Sequence, residues 1–147
     1  MSAVNTMQWA DVLNNPWLQN LPFKIELNRW GKIELSPASN QHGAMQVDIA
    51  ATLRKRRGGK VIVECSIQTT DGVRVADVAW SSNKRLRALG WATPFPSAPE
   101  ICVEVMAPGN SWAEMHMKAG LYLQAGALEV WVVAADGKQT IIKPPVA

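Results

Sequence analysis

Two acidic residues sit in the middle of runs that read as strands, and any fold the chain adopts must provide for both. Asp77 lies in Val73-Arg74-Val75-Ala76-Asp77-Val78-Ala79-Trp80, and Glu104 in Ile101-Cys102-Val103-Glu104-Val105-Met106. β-Branched residues at this density favour a pleated strand. By alternation, Asp77 shares a face with Val73, Val75 and Ala79, and Glu104 with Cys102 and Met106. Neither acid belongs to a polar row. A carboxylate in a half-buried strand has to be compensated, by an ion pair with a cation such as Arg74 or Lys118 or by a bound ligand. Taken singly, each acid is explained as well by a structural ion pair as by a functional site.

The rest of the chain builds an α/β domain around these two strands. Residues 1–22 form an N-terminal arm with turns at Asn14-Asn15-Pro16 and room for a short helix before Asn14. Residues 23–147 form a single domain. It opens with a small hairpin, Phe23–Leu27 and Lys32–Leu35, whose turn spans Asn28–Gly31. A helix follows from about Gly43 to Arg56, with Met45, Ile49 and Leu53 at helical spacing, and Gly58-Gly59 stops it. Val61–Thr69 alternates, with Val61, Val63, Cys65 and Ile67 on one face and Glu64 on the other; Asp71-Gly72 then turns the chain into the Asp77 strand. Residues 81–99 read as a long connection. Trp112–Gln124 reads as a helix capped at Asn110 or Ser111, and Leu128–Ala134 as a strand. Strand, helix and strand with short links from Glu100 to Ala134 imply a right-handed parallel crossover. The expected architecture is a mixed central sheet flanked by helices.

Lys118 links the two acids to chemistry. It shares a helical face with Met115, Leu121 and Tyr122, which aims it at the sheet, although an i, i+4 pair with Glu114 competes. Two carboxylates suit a hard cation such as Mg²⁺ or Mn²⁺, which prefers oxygen ligands and keeps several waters. With a lysine to orient water or stabilise phosphate oxygens, such a set can break phosphodiester bonds. Glu64 and Glu26 are possible additional ligands, although an ordinary solvated strand position accounts for either. His42, just before the first long helix, is placed to cap it or touch a phosphate. No Cys/His set with zinc-ligand spacing is present, and there is no P-loop, dinucleotide fingerprint or nucleophile elbow.

The net charge of +3 permits nucleic-acid binding without requiring it. Two basic runs, Arg54-Lys55-Arg56-Arg57 and Lys84-Arg85-Leu86-Arg87, are each ordinary solvated stretches if taken alone. Around one acidic centre, Arg54, Arg56, Arg57, Lys84, Arg85 and Arg87 read as a track for a phosphate backbone. No apolar run reaches the roughly 20 residues that a membrane span needs, and Met1–Gln8 has no secretory pattern. Cys65 and Cys102 sit inside strands, where apolar filling in a reducing compartment is their expected role; a cytoplasmic location follows as an expectation.

Several segments together resemble a known family. Leu21-Pro22-Phe23-Lys24-Ile25-Glu26-Leu27, Gly31-Lys32-Ile33-Glu34-Leu35-Ser36-Pro37 and His42-Gly43 are similar to the opening of the Uma family of restriction-endonuclease-like proteins. Val75–Trp80 resembles its aspartate strand. Val103–Pro108, Lys118 with Tyr122, and Gly126–Val133 resemble its C-terminal half. That family in turn resembles the PD-(D/E)XK nucleases. The resemblance implies a restriction-endonuclease-like fold, divalent-metal binding by Asp77 and Glu104, and a lysine supplied from the following helix by Lys118. In the common superfamily pattern the lysine stands two residues after the Glu, where this chain has Met106. Ala76 also replaces the usual proline before the Asp, and Ala107 the usual serine before Pro108. The expected function is a Mg²⁺- or Mn²⁺-dependent endonuclease acting on DNA as a homodimer. The alternatives are a catalytically inactive nuclease-fold protein serving as a nucleic-acid-binding or assembly module, and a hydrolase of another phosphoester.

Overall fold

The computed structural model describes residues 7–146, so the first six residues of the expected arm lie outside the described residues. In chain order the elements are α1 (Trp9–Asn14), β1 (Phe23–Leu27), β2 (Ile33–Pro37), α2 (Asn40–Arg54), β3 (Lys60–Thr69), β4 (Gly72–Ser81), α3 (Asn83–Leu89), β5 (Ile101–Val105), α4 (Trp112–Gln124), β6 (Glu129–Val133) and β7 (Gln139–Ile142). The strands form one mixed sheet in the order β2-β1-β4-β5-β6-β7, with β3 paired to β4. β5 and β6 run parallel with α4 as their crossover, and the other pairs are antiparallel.

Helices cover both faces. Leu53 of α2, with Met45 and Ile49, packs on Val78, Val103 and Trp131. On the other face Leu86 and Leu89 of α3 and Ala119 and Tyr122 of α4 pack on Cys65, Ala79, Cys102 and Val130. Val12 of α1 closes a smaller cluster with Leu27 and Val73. Among the described residues no helix is long and apolar enough to cross a membrane, and Cys65 and Cys102 are free and buried.

Three expectations need correction. The segment 81–99 is not a bare connection, because α3 occupies Asn83–Leu89; the Ser82 hydroxyl accepts from the Arg85 N–H and starts the helix. The first long helix begins at Asn40 and not near Gly43, because Ser39 caps it by accepting from the His42 N–H. The alternation read along both central strands breaks halfway. Ile62, Cys65 and Ile67 all lie on the α3/α4 side while Val61 lies on the α2 side; likewise Ala76 and Ala79 lie on the α3/α4 side and Val78 on the α2 side. The faces change at Glu64 and Asp77, which oppose each other. The register on either side is unshifted, with Val63 opposite Val78 and Cys65 opposite Ala76, but the ladder skips the pair between them. Glu64 adopts φ +51°, a left-handed conformation rare for a residue with a side chain.

The other edge of β4 is shared by two strands and so forms a fork. β1 touches it only at Leu27–Val73, and β5 only from Val78 to Trp80. Gly72 makes the first contact possible: its φ is +77°, and a Cβ there would overlap the Leu27 carbonyl oxygen. Between the prongs, Arg74 to Asp77 have no strand neighbour on that edge. Their backbone donors must be satisfied by side chains.

Candidate active site

The fork is filled by carboxylates. Glu26 of β1 accepts from the Val75 N–H at 2.8 Å, and Asp77 of β4 accepts from the Val105 N–H at 2.7 Å through Oδ2. These acids replace ladder hydrogen bonds that the diverging strands cannot make. Glu104 of β5 projects from the side of the sheet that α4 covers, where its Oε1 accepts from the Tyr122 hydroxyl at 2.7 Å. All three acids are buried.

Two lysines neutralise them. Lys118 reaches down from α4 and places Nζ 2.9 Å from Glu26 Oε2 and 3.1 Å from Glu104 Oε1. It does not pair with Glu114, which accepts instead from Asn110. Lys24 of β1 places Nζ 3.1 Å from Asp77 Oδ1 and 3.2 Å from Glu104 Oε2. The ion pair that holds Asp77 is therefore with Lys24, not with Arg74 or Lys118. His42 of α2 adds Nε2 at 3.3 Å from Asp77 Oδ2 and 3.2 Å from the Val105 carbonyl oxygen. Gln46, one turn further on, donates from Nε2 to the Asp77 carbonyl oxygen at 2.8 Å and to Glu64 Oε1 at 2.7 Å. It takes up the backbone acceptor at the point where the β3–β4 ladder is interrupted, and ties Glu64 to the site margin.

The electrostatics divide the acids. Burial raises the Asp77 pKa, but the Lys24 ammonium, the His42 ring and the Val105 N–H outweigh it and hold the carboxyl well below the usual range. Glu26 is likewise lowered against its burial, by Lys118, Lys24 and the Val75 N–H. Glu104 is raised, first by burial and then by Asp77 and Glu26, although Lys118 and Lys24 oppose this. Burial works against the Lys24 charge, yet Glu104, Asp77 and Glu26 raise its pKa. His42 is raised by its hydrogen bond to Asp77 against partial burial.

The cluster opens on a cavity of about 600 Å³ whose lining includes Phe23, Lys24, His42, Glu64, Asp77 and Glu104. The structure thus brings Asp77, Glu104, Lys118, Glu26 and His42 together, with Glu64 exposed at the rim. None of the six basic-run residues lines this cavity. Arg54, Arg56, Arg57, Lys84 and Arg87 are exposed. Arg85 is committed elsewhere: Nη1 donates to the Ala98 and Gly126 carbonyl oxygens at 3.1 and 2.8 Å. Lys24 and Gln46 were not singled out by sequence reasoning. The available signal for Lys24 was that it shares a strand face with Glu26.

Asp77 and Glu104 straddle one point and offer it only oxygen, the donor set of a hard divalent cation that keeps most of its waters. Among the described residues no third His, Cys, Asp or Glu joins them in a group that could hold an ion. The residues fit Mg²⁺ or Mn²⁺ in donor chemistry, with Lys24 Nζ standing between them.

The Uma2 family, described as "Putative restriction endonuclease", matches residues 9–143. The chain belongs to this family. No curated protein matches the sequence. Among solved structures, a crystal structure of "a putative nuclease belonging to DUF820" from Anabaena variabilis ATCC 29413 superposes with a TM-score of 0.65, at 18% identity, over 84% of this chain and 78% of that one. At that identity the likeness concerns the fold, and it supports the restriction-endonuclease-like architecture of this Uma2 member.

Proposed function

We propose that this Uma2 protein is a metal-dependent endodeoxyribonuclease whose centre is Asp77, Glu104 and Lys118. The observation that carries the reading is their convergence, from β4, β5 and α4, at one open cavity in a sheet fork. Asp77 and Glu104 would hold Mg²⁺ or Mn²⁺. Bound there, the ion lowers the pKa of water and neutralises charge building on a phosphate. The chain's own groups do the rest. Tyr122 and the Val105 N–H fix the two carboxylates, so that their free oxygens point to a common position. Lys118 is oriented by Glu26, leaving an ammonium beside the reacting position to hold water or stabilise phosphate oxygens. His42, on the opposite side of Asp77, offers a second donor.

Arg54, Arg56, Arg57, Lys84 and Arg87 would steer a DNA backbone toward the cavity by charge. Pairing of two copies would present one centre to each strand. The test is plasmid nicking with Mn²⁺ by the wild type and by Asp77→Ala, Glu104→Ala and Lys118→Ala. Each variant is expected to lose at least about 100-fold of the rate. Equal nicking by all four proteins would defeat the reading. A second reading, a non-catalytic nucleic-acid-binding module, is favoured by the Lys24 ion pairs that already neutralise Asp77 and Glu104. It predicts DNA retention without nicking in any of the four.

A further inference from the structure

We propose that Lys24 is an exchangeable counter-ion: its ammonium occupies the cation position between Asp77 and Glu104, and it must leave that position for a divalent ion to bind. The inference rests on the reading of these two acids as cation ligands. It adds a residue that sets how readily the centre loads.

Three observations carry it. First, Nζ lies 3.1 Å from Asp77 Oδ1 and 3.2 Å from Glu104 Oε2, so it stands at the single point both carboxylates address. An ion such as Mg²⁺ binds oxygen at about 2.0–2.1 Å. The carboxylates would have to close in on it, which leaves no room for the ammonium. Second, the site cannot stand without a cation there. Removing Lys24 leaves Asp77 with the His42 ring and Glu104 with Lys118 as their remaining cation partners, while Glu26 keeps Lys118 and, at 3.9 Å, Arg74. Third, Lys24 can move. It sits near the start of β1 beside the exposed Phe23, its side chain is 12% accessible, and it lines the open cavity itself. A lysine is a compact charge on a flexible stem, free to swing into solvent without breaking a fixed hydrogen-bond fork. Lys118 also borders the cavity, but from α4 it bridges Glu26 and Glu104 and makes no contact with Asp77, so it does not occupy the position between the two proposed ligands.

The test is calorimetric titration of the full chain with Mn²⁺, in the absence of DNA. Lys24→Met removes the charge and keeps most of the stem. It is expected to bind Mn²⁺ about tenfold or more tightly than the wild type, as loss of one competing ion pair allows. Its melting temperature, lowered in chelator, should rise with Mn²⁺ by more than that of the wild type. Lys24→Arg keeps the charge in a stiffer, fork-shaped group; it should fold, and bind Mn²⁺ more weakly than the wild type. If Lys24→Met does not fold, this second variant still decides the matter. Asp77→Asn combined with Lys24→Met should abolish the gain, which locates the ion. Wild type and Lys24→Met binding equally, or Lys24→Arg binding as well as the wild type, overturns the role of Lys24 and leaves the metal-site reading standing. No binding by either wild type or Lys24→Met overturns both.

Discussion

Two clusters of buried charge lie three residues apart on β4 and are built differently. At Arg74 a guanidinium is locked in place: Nη2 donates to Asp71 Oδ2 at 2.7 Å, Nη1 to Glu34 Oε1 at 3.0 Å, and Nε to the Asp71 carbonyl oxygen at 3.2 Å. Asp71 is fixed from its other oxygen by the Arg29 N–H and Nε, both at 3.0 Å. This group fastens the β3–β4 turn to the N-terminal hairpin. At Asp77 the cations are lysines, held by charge and not by a planar fork. Both clusters satisfy the rule that buried charges are paired. Both border the cavity, the first through Glu34 and Arg74, but only the second sets two buried carboxylates around a single lysine ammonium. On the function proposed above, the kind of cation, more than the depth of burial, separates the structural cluster from the ion-binding one.

The sharpest way to break this contrast is to remove each cation. Arg74→Met removes the buried guanidinium and its bonds to Asp71 and Glu34, leaves Asp71 with Arg29 as its cation partner, and is expected to cost about 3 kcal/mol, read as a lower midpoint in urea. Lys24→Met should also lose stability in chelator, but Mn²⁺ should restore it, as an ion in the place of the ammonium would. If Lys24→Met loses as much as Arg74→Met and Mn²⁺ restores nothing, the two clusters are the same kind of structure and the distinction fails. A smaller effect sharpens it. Tyr122→Phe removes a charge-directed hydroxyl from Glu104 Oε1 and should cost about 2 kcal/mol. No change in the urea midpoint would mean that the lysines alone hold Glu104.

Much of this was legible in the sequence, and the exceptions have two causes, tertiary contacts and short local signals. The hairpin, both central strands, α4 and the β5–α4–β6 crossover follow from local periodicity and turn chemistry, and so do Asp77 and Glu104 as misfits in apolar strands. Lys118 could be placed because its neighbours on α4 are apolar. Lys24 and Glu26 could not be told from a solvated hairpin face, because what buries them is the fork between β1 and β5, a tertiary event with no local mark. The face change at Glu64 was equally hidden: its positive φ accompanies Gln46, eighteen residues earlier, bonding to both Glu64 and the Asp77 backbone. α3 was missed because a seven-residue helix shows its apolar spacing only once, at Leu86 and Leu89.

The smallest expected effect tests the same contrast through protons. Asp71 has a lowered pKa: burial opposes the shift, but the hydrogen bonds from Arg29 and Arg74 overcome it. A carboxyl depressed in the fold contributes stability that is present above its unfolded pKa of about 3.9 and is lost as pH falls through the folded value. The stability gap between wild type and Asp71→Asn should therefore be widest near neutrality and narrow in acid. Glu104 is raised, which gives the opposite sign: the fold disfavours its charged form, so its contribution declines as pH rises through the interval between unfolded and folded values. In chelator, the wild type should gain on Glu104→Gln as pH drops. Urea midpoints taken from pH 7 down to pH 3 read both trends. Two gaps that narrow in parallel would show that the fold favours the charged form of Glu104 as it does that of Asp71, through Lys118 and Lys24.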